Sequence, residues 1–366
     1  MNVLVVKLSA IGDVIHALPA VNYLKTKLPQ ARITWVVEPL SADLLRDNPL
    51  VDDLIVFKKK EIAGGSFSEL RKLLGHLFQQ NYEAALDFQG LFKSAALCKV
   101  SNAKRTFGFA GARELAPLFY TDKVDTGDYF SYGTHVVVHN LRLANAAVKA
   151  LGGISLEKVD LEKEVQNLSF PLRDESTMSE IVSKLPNQLI YRSTTEGAAP
   201  LVVLIPGTTW VTKLWPASYW TELGGSLAMR GNIRLALVGG PGEKACNQEI
   251  ADGIRRIKPD VELMDLTGQT GLSDLIGLFS LSKLVIGGDT GPLHLAAAVT
   301  KPGVLGIYGS TPIGRNGPFG DHCKTVSTAL ECQPCFSKTC RIGTIACLND
   351  LSPDTVFRMA AEALTD

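Results

Sequence analysis

Short apolar runs that end in glycine- or hydroxyl-rich turns and pass directly into helical patterns recur along this chain, and that recurrence constrains its fold more than any single motif does. The clearest example is Leu284-Val285-Ile286, followed by Gly287-Gly288-Asp289-Thr290-Gly291-Pro292-Leu293-His294 and then by Leu295-Ala296-Ala297-Ala298. A continuous apolar run reads as a strand buried on both faces, and such strands alternating with helices make a parallel sheet. A glycine-rich turn into a helix start directs backbone N–H groups at an anion, and Pro292 suits the first turn, where a missing N–H costs nothing. On this reading His294, in the same first turn, faces whatever docks. The same residues also suit a well-capped helix with no ligand.

The pattern occupies both halves of the chain. Val3 to Lys7, Arg32 to Glu38, Leu54 to Phe57 and Ala84 to Phe88 read as strands, with helices from about Asp13 to Leu28 and around Glu69 to Gln79. Residues 186–200 are polar and interrupt the rhythm. It restarts with Leu201 to Ile205, Leu235 to Val238, Leu284 to Ile286 and Val304 to Tyr308. The expectation is an α/β protein of two Rossmann-like, doubly wound domains facing a central cleft, over 1–185 and 201–350, with 186–200 as linker. A last helix within 351–366, with Ser352 as N-cap and Pro353 in its first turn, is expected to pack back on the first domain. Ligands of such sheets bind outside the carboxyl ends of the strands. The loops at 9–12, 89–90, 206–209, 239–242, 287–291 and 309–312 all fall there.

Composition narrows the function classes. The 366 residues call for two domains, and no apolar run approaches the ~20 residues of a membrane span. Lys plus Arg and Asp plus Glu are both 37, which argues against bulk nucleic-acid binding. Met1 to Lys7 reads as a strand and not as a signal peptide, so a cytoplasmic protein is expected. Five of the seven cysteines lie between Cys323 and Cys347. Cys332, Cys335, Cys340 and Cys347 suit a structural zinc site, two disulfides or reduced thiols.

Several residues could carry chemistry. Lys213 stands among hydroxyls in Thr208-Thr209-Trp210-Val211-Thr212-Lys213, just before a helix, which suits a pyrophosphate. Glu243 follows Gly239-Gly240-Pro241-Gly242 and suits ribose hydroxyls or simple helix-dipole compensation. No Gly-x-Gly-x-x-Gly follows the first strand of either half and no Walker lysine motif occurs, which removes dehydrogenase and P-loop readings. Asp13, after Ser9-Ala10-Ile11-Gly12, reads either as an N-cap carboxylate or as a general base, which must be ionised and within hydrogen-bond reach of its proton.

These segments together resemble a known family. Lys7-Leu8-Ser9-Ala10-Ile11-Gly12-Asp13-Val14-Ile15-His16-Ala17-Leu18-Pro19-Ala20 is similar to the opening signature of the heptosyltransferases of lipopolysaccharide core synthesis, glycosyltransferase family 9. Gly288 to His294 resembles their nucleotide-sugar motif, and Asp87 to Ala95 and Ala112 to Tyr120 resemble their N-domain segments. The last two look most like the members that add the first heptose. The resemblance implies a GT-B fold, ADP-heptose as donor, a Kdo-lipid A acceptor and inversion at the anomeric carbon. It implies Asp13 as base, Lys213, Thr208 and Thr209 on the diphosphate, and Asp289, Thr290, Gly291 and His294 in the donor motif. Glu243 matches a ribose or adenine contact. Ser9, Gly12, Gln89, Lys93 and Arg113 fall on the acceptor side, with Arg105 a further candidate for its anionic groups. No metal cofactor is implied, and no Asp-x-Asp motif is present. A monomer at the cytoplasmic face of the inner membrane is expected, touching it through Lys58, Lys59 and Lys60. The Cys-rich tail departs from the first-heptose members, which keeps later heptose addition open. A nucleotide-sugar epimerase or hydrolase on the same architecture is the further alternative.

Overall fold

In the computed structural model, residues 1–365 are described apart from 79, 166–167, 187–188, 191–196 and 300–301. The chain divides into two units, Met1–Asp174 and Glu175–Asp366. The first unit is built on β1 (Asn2–Val6), β2 (Arg32–Val37), β3 (Asp53–Val56), β4 (Ala84–Asp87), β5 (Arg105–Phe109) and β6 (Asp122–Val124). These form one sheet in the order β3-β2-β1-β4-β5-β6, with every pair parallel. Val3 to Val6 and Ala84 to Asp87 are wholly buried, as central strands covered on both faces must be. The predicted helix from Asp13 to Leu28 is two helices, Ile11–Ile15 and Leu18–Lys27. Pro19 stands in the first turn of the second, where it needs no N–H partner, and so restarts the helix there.

The second unit repeats the plan. Its strands are β7 (Leu201–Ile205), β8 (Arg234–Leu237), β9 (Glu262–Asp265), β10 (Leu284–Gly288), β11 (Gly303–Ile307) and β12 (Cys323–Val326). They lie in the order β12-β11-β10-β7-β8-β9, again all parallel. Counted within each unit, both sheets therefore run 3-2-1-4-5-6. Such a sheet reverses its winding between its first and fourth strands, and the crevice beyond their carboxyl ends is the binding position of the architecture. In this chain the two reversal points are β1/β4 and β7/β10.

Two boundary expectations are corrected. The helix Glu175–Ser183 buries Ile181 and packs on the helix Leu272–Ser280, so the division falls ahead of 186–200. Of that expected linker, 187–188 and 191–196 lie outside the described residues. The last helix, Pro353–Ala363, belongs to the second unit and not to the first. Its Val356 and Ala360 enter the core formed by Trp220, Leu223, Leu284 and Leu305, because its apolar stripe matches the open face of the helix Ala217–Met229. Ser352 caps it as expected, accepting the Thr355 N–H.

Candidate active site

In the first unit the chain leaves β1 at Lys7, a lysine only 2% exposed. A buried ammonium is tolerated only with partners. Lys7 Nζ donates to the Phe88 carbonyl at 2.9 Å and lies 3.9 Å from Asp13 Oδ1. Ala10 and not Asp13 is the N-cap; Asp13, third in the helix, reaches back so that its Oδ2 accepts the Ala10 N–H at 3.0 Å, yet its side chain stays 39% exposed. A bond to the helix start and a solvent-facing carboxylate thus coexist in one residue. Gln89, after β4, holds the same loop: its Oε1 accepts the N–H groups of Leu8 and Ser9 at 3.0 and 3.2 Å.

Gln89 is itself fixed by Asp87, which is fully buried. Asp87 accepts from the N–H groups of Gln89 and Gly90 and from the hydroxyls of Ser94 and Tyr120, at 2.7–3.0 Å. Burial pushes its carboxyl above the ordinary value despite these donors, and pushes Tyr120 far above its own. The chain from Tyr120 through Asp87 and Gln89 to Ser9 sets the backbone on which Asp13 stands. Gly12 is buried beneath it.

The acceptor-side cations separate. Lys93, in the first turn of the helix Phe92–Val100, pairs with Glu38 at 2.7 Å, just beyond the carboxyl end of β2. Arg113 is exposed, with its guanidinium 4.2 Å above the Phe130 ring and its N–H on the Gly90 carbonyl. Arg105 opens β5, at the end of the sheet away from this loop cluster, where Asp122 and the Ala150 carbonyl engage it. Arg105 thus ties β5 to the edge strand β6. Lys58 pairs with Glu61 and Glu69 at 3.5 Å, while Lys59 and Lys60 are exposed. No helix among the described residues is long and apolar enough to cross a membrane.

In the second unit the loops after β7 and β10 meet. A Cβ on Gly288 would stand 2.9 Å from Thr208 Cγ2 and 3.2 Å from the Lys213 carbonyl, so glycine is required for the approach. Lys213 Nζ pairs with Asp289 Oδ2 at 2.7 Å and lies 4.3 Å from the centroid of the Trp210 ring. His294 is 6% exposed and its Nε2 meets Asp289 Oδ1 at 3.2 Å. The buried imidazole thus braces Asp289 from the first turn of the helix Gly291–Val299. Thr208 Oγ1 donates to the Trp210 carbonyl at 3.0 Å, while Thr209 is exposed. Thr290 and Gly291 open the helix and are partly exposed, which leaves an N-terminus suited to an anion. Glu243 Oε2 accepts the Gly240 N–H at 2.6 Å, and its carboxylate lies where a Cβ on Gly207 would stand. It therefore reaches from the β8 turn to the β7 turn.

Burial pushes the Asp289 carboxyl up, but His294 and Lys213 outweigh it and hold it at about 2, from an ordinary 3.8. A depressed native value stabilises the fold above the unfolded pKa and is lost as pH falls through the native one. Between pH 4 and pH 2 this chain is therefore expected to lose ~2 kcal/mol more stability than Asp289→Asn, read from denaturant unfolding at each pH. Equal losses would contradict the pairing.

The cysteines do not meet the zinc expectation. All seven are free thiols, and among the described residues no group of three or more His, Cys, Asp or Glu is placed to hold a metal ion. Cys340 Sγ instead accepts backbone N–H groups, that of Ile345 at 3.4 Å, which lowers its pKa. Cys347 is buried in the core, which pushes its thiol to about 11.

Lys7, Asp87, Trp210 and Thr212 also build the site, although none of them stands out as a site residue in the sequence. The one readable signal is at Lys7 and Asp87, a charge closing a wholly apolar strand. The other two are ordinary loop residues whose roles depend on contacts distant in sequence.

Two doubly wound units, each with polar loops at its reversal point, define the GT-B class of glycosyltransferase. Residues 70–346 match glycosyltransferase family 9 (heptosyltransferase), and the chain belongs to that family. It is 29% identical to lipopolysaccharide heptosyltransferase 1 of Pseudomonas aeruginosa, over 93% of this chain and 87% of that protein. Against the Escherichia coli K12 protein of the same name it is 28% identical, over 87% and 91%. A lipooligosaccharide heptosyltransferase 2 of Campylobacter jejuni is 23% identical over 97% and 95%. Among solved structures, E. coli heptosyltransferase WaaC with ADP superposes with a TM-score of 0.77 at 26% identity, covering 99% of this chain and 100% of that one. E. coli ADP-heptose heptosyltransferase II shares the fold, with a TM-score of 0.76 at 20% identity, covering 100% and 99%.

Proposed function

We propose that this enzyme transfers a heptosyl unit from ADP-heptose to the Kdo-lipid A inner core of lipopolysaccharide, adding the first heptose with inversion. One observation carries the reading. A partly exposed carboxylate, Asp13, stands at the reversal point of one unit, and a lysine, Lys213, stands with an open helix start at the reversal point of the other. The first suits removal of a hydroxyl proton and the second suits a leaving diphosphate. The relatives named heptosyltransferase 1 support the first-heptose assignment, since they are the more similar ones.

Asp13 takes the proton of the acceptor hydroxyl as its oxygen bonds to the anomeric carbon. The bond from that carbon to the phosphate oxygen breaks, and ADP leaves with the electron pair. Lys213 and the helix start at Thr290 and Gly291 meet the growing charge, with Asp289 aiming the ammonium. Gln89 and Lys7 hold the Asp13 loop. Thr208, Thr209 and Glu243 complete the donor contacts, and Ser9, Gly12, Lys93 and Arg113 line the acceptor side. Lys59 and Lys60 supply contact with an anionic membrane surface.

ADP release from ADP-heptose, measured in parallel with Kdo₂-lipid A and with its monoheptosylated form, tests the assignment. Release with the unheptosylated lipid alone is expected. Release with the heptosylated lipid alone would make this a later-acting enzyme and would fit its Cys-rich tail.

A further inference from the structure

The Cys-rich stretch, which the reaction so far leaves unused, lies against the Lys213 loop. The Phe336 N–H donates to the Ser310 carbonyl at 2.7 Å, and Gln333 Nε2 donates to the Gly309 carbonyl at 2.9 Å. The Thr212 hydroxyl donates to the Ser337 carbonyl at 2.6 Å and accepts from Ser310 Oγ at 3.1 Å. Thr212 is 2% exposed, so this hydroxyl has no water to fall back on. One buried group thereby ties together the loop after β7, the turn after β11 and the Cys-rich stretch. Thr212 also immediately precedes Lys213 in the single short turn Val211–Lys213.

A second feature converges on the same place. The Trp210 ring has Lys213 Nζ 4.3 Å from its centroid, Lys338 Nζ at 5.4 Å and the Phe336 ring at 5.8 Å. An indole face attracts ammonium groups, so it gathers both lysines. Lys213 has Asp289 as its carboxylate, whereas among the described residues no carboxylate pairs with Lys338. Two ammoniums on one indole with one carboxylate leave a positive excess around Trp210.

We propose that the stretch from Gln333 to Lys338 is a clamp on the donor diphosphate. In it Thr212 is a positioning residue that fixes Lys213, and Lys338 supplies a second cation to the phosphates. The proposal rests on the reading that Lys213 meets that diphosphate.

Titration calorimetry of the full chain with ADP and with AMP separates the possibilities, because the two differ in the phosphate the clamp would hold. The wild type is expected to prefer ADP. Lys338→Gln is expected to weaken ADP about fivefold, to leave AMP unchanged and to reduce the salt dependence of ADP binding. Thr212→Val is expected to weaken ADP by about fivefold as well, with Thr212→Ser restoring it. A wild type that prefers ADP, with both variants keeping the wild-type ratio, would overturn the clamp and leave the donor reading standing. Lower thermal stability in both Thr212 variants at an unchanged ADP-to-AMP ratio would likewise reduce Thr212 to a structural role. A wild type with no preference for ADP would overturn the donor reading and the clamp with it.

Discussion

Asp13→Asn is expected to lower turnover by ~100- to 10,000-fold while ADP affinity stays within about twofold of wild type. The substitution keeps the shape of the side chain and an oxygen for the Ala10 N–H, so the cap survives. It removes the ability to accept a proton and the negative charge 3.9 Å from Lys7 Nζ, which keeps its hydrogen bond to the Phe88 carbonyl. The helix Ile11–Ile15 is anchored by buried Gly12, Val14 and Ile15 and by Gln89, none of which the change touches. Single-turnover ADP release, with calorimetry of ADP binding beside it, reads the two effects separately. Unchanged turnover would remove Asp13 from the chemistry. Equal loss of turnover and ADP affinity would make it a structural residue of the fold.

The second large effect is expected at Lys213. Lys213→Met should cost ~100- to 1,000-fold in kcat/KM, the scale seen when a preorganised group facing developing charge is removed. It should also destabilise the fold, because Asp289 would lose a cation while only 8% exposed. Breaking a buried pair from one side costs ~3 kcal/mol. The two losses are separable. Lys213→Met combined with Asp289→Asn removes the stranded carboxylate, and is expected to recover most of the stability and none of the activity. Denaturant unfolding and steady-state kinetics on the three variants check this. A double variant that regains activity would show that Lys213 serves only to neutralise Asp289.

The wholly apolar strands and their turns were legible because each carries its signal within about ten residues. Val3 to Val6, Leu201 to Ile205 and Leu284 to Ile286 need nothing distant to be recognised as central strands. The edge strand β3 was legible as an apolar run, but the edge strands β6, β9 and β12 were not. β6 is Asp122-Lys123-Val124 and β12 is Cys323-Lys324-Thr325-Val326, and an edge position removes the need for an apolar run that would reveal them. The site shows the same division. Asp13, Lys213 and Asp289 stand in turns whose place at strand ends follows from the local pattern. That Arg105 braces Asp122, that His294 braces Asp289 and that Thr212 joins Ser310 to Ser337 depend on pairs 5 to 125 residues apart. The thiols mislead for a similar reason: spacing allows a metal site, whereas the fold spends Cys347 on the core and Cys340 on backbone N–H groups.

Glycosyl transfer requires that sugar leave the nucleotide only when a lipid acceptor receives it. Purified chain should be incubated with ADP-heptose in the presence and absence of Kdo₂-lipid A, with ADP quantified and the lipid weighed by mass spectrometry. ADP is expected in the presence of the lipid, little without it, and a lipid heavier by one heptose per ADP formed. ADP released equally without the lipid, or a lipid of unchanged mass, would contradict glycosyl transfer to this acceptor.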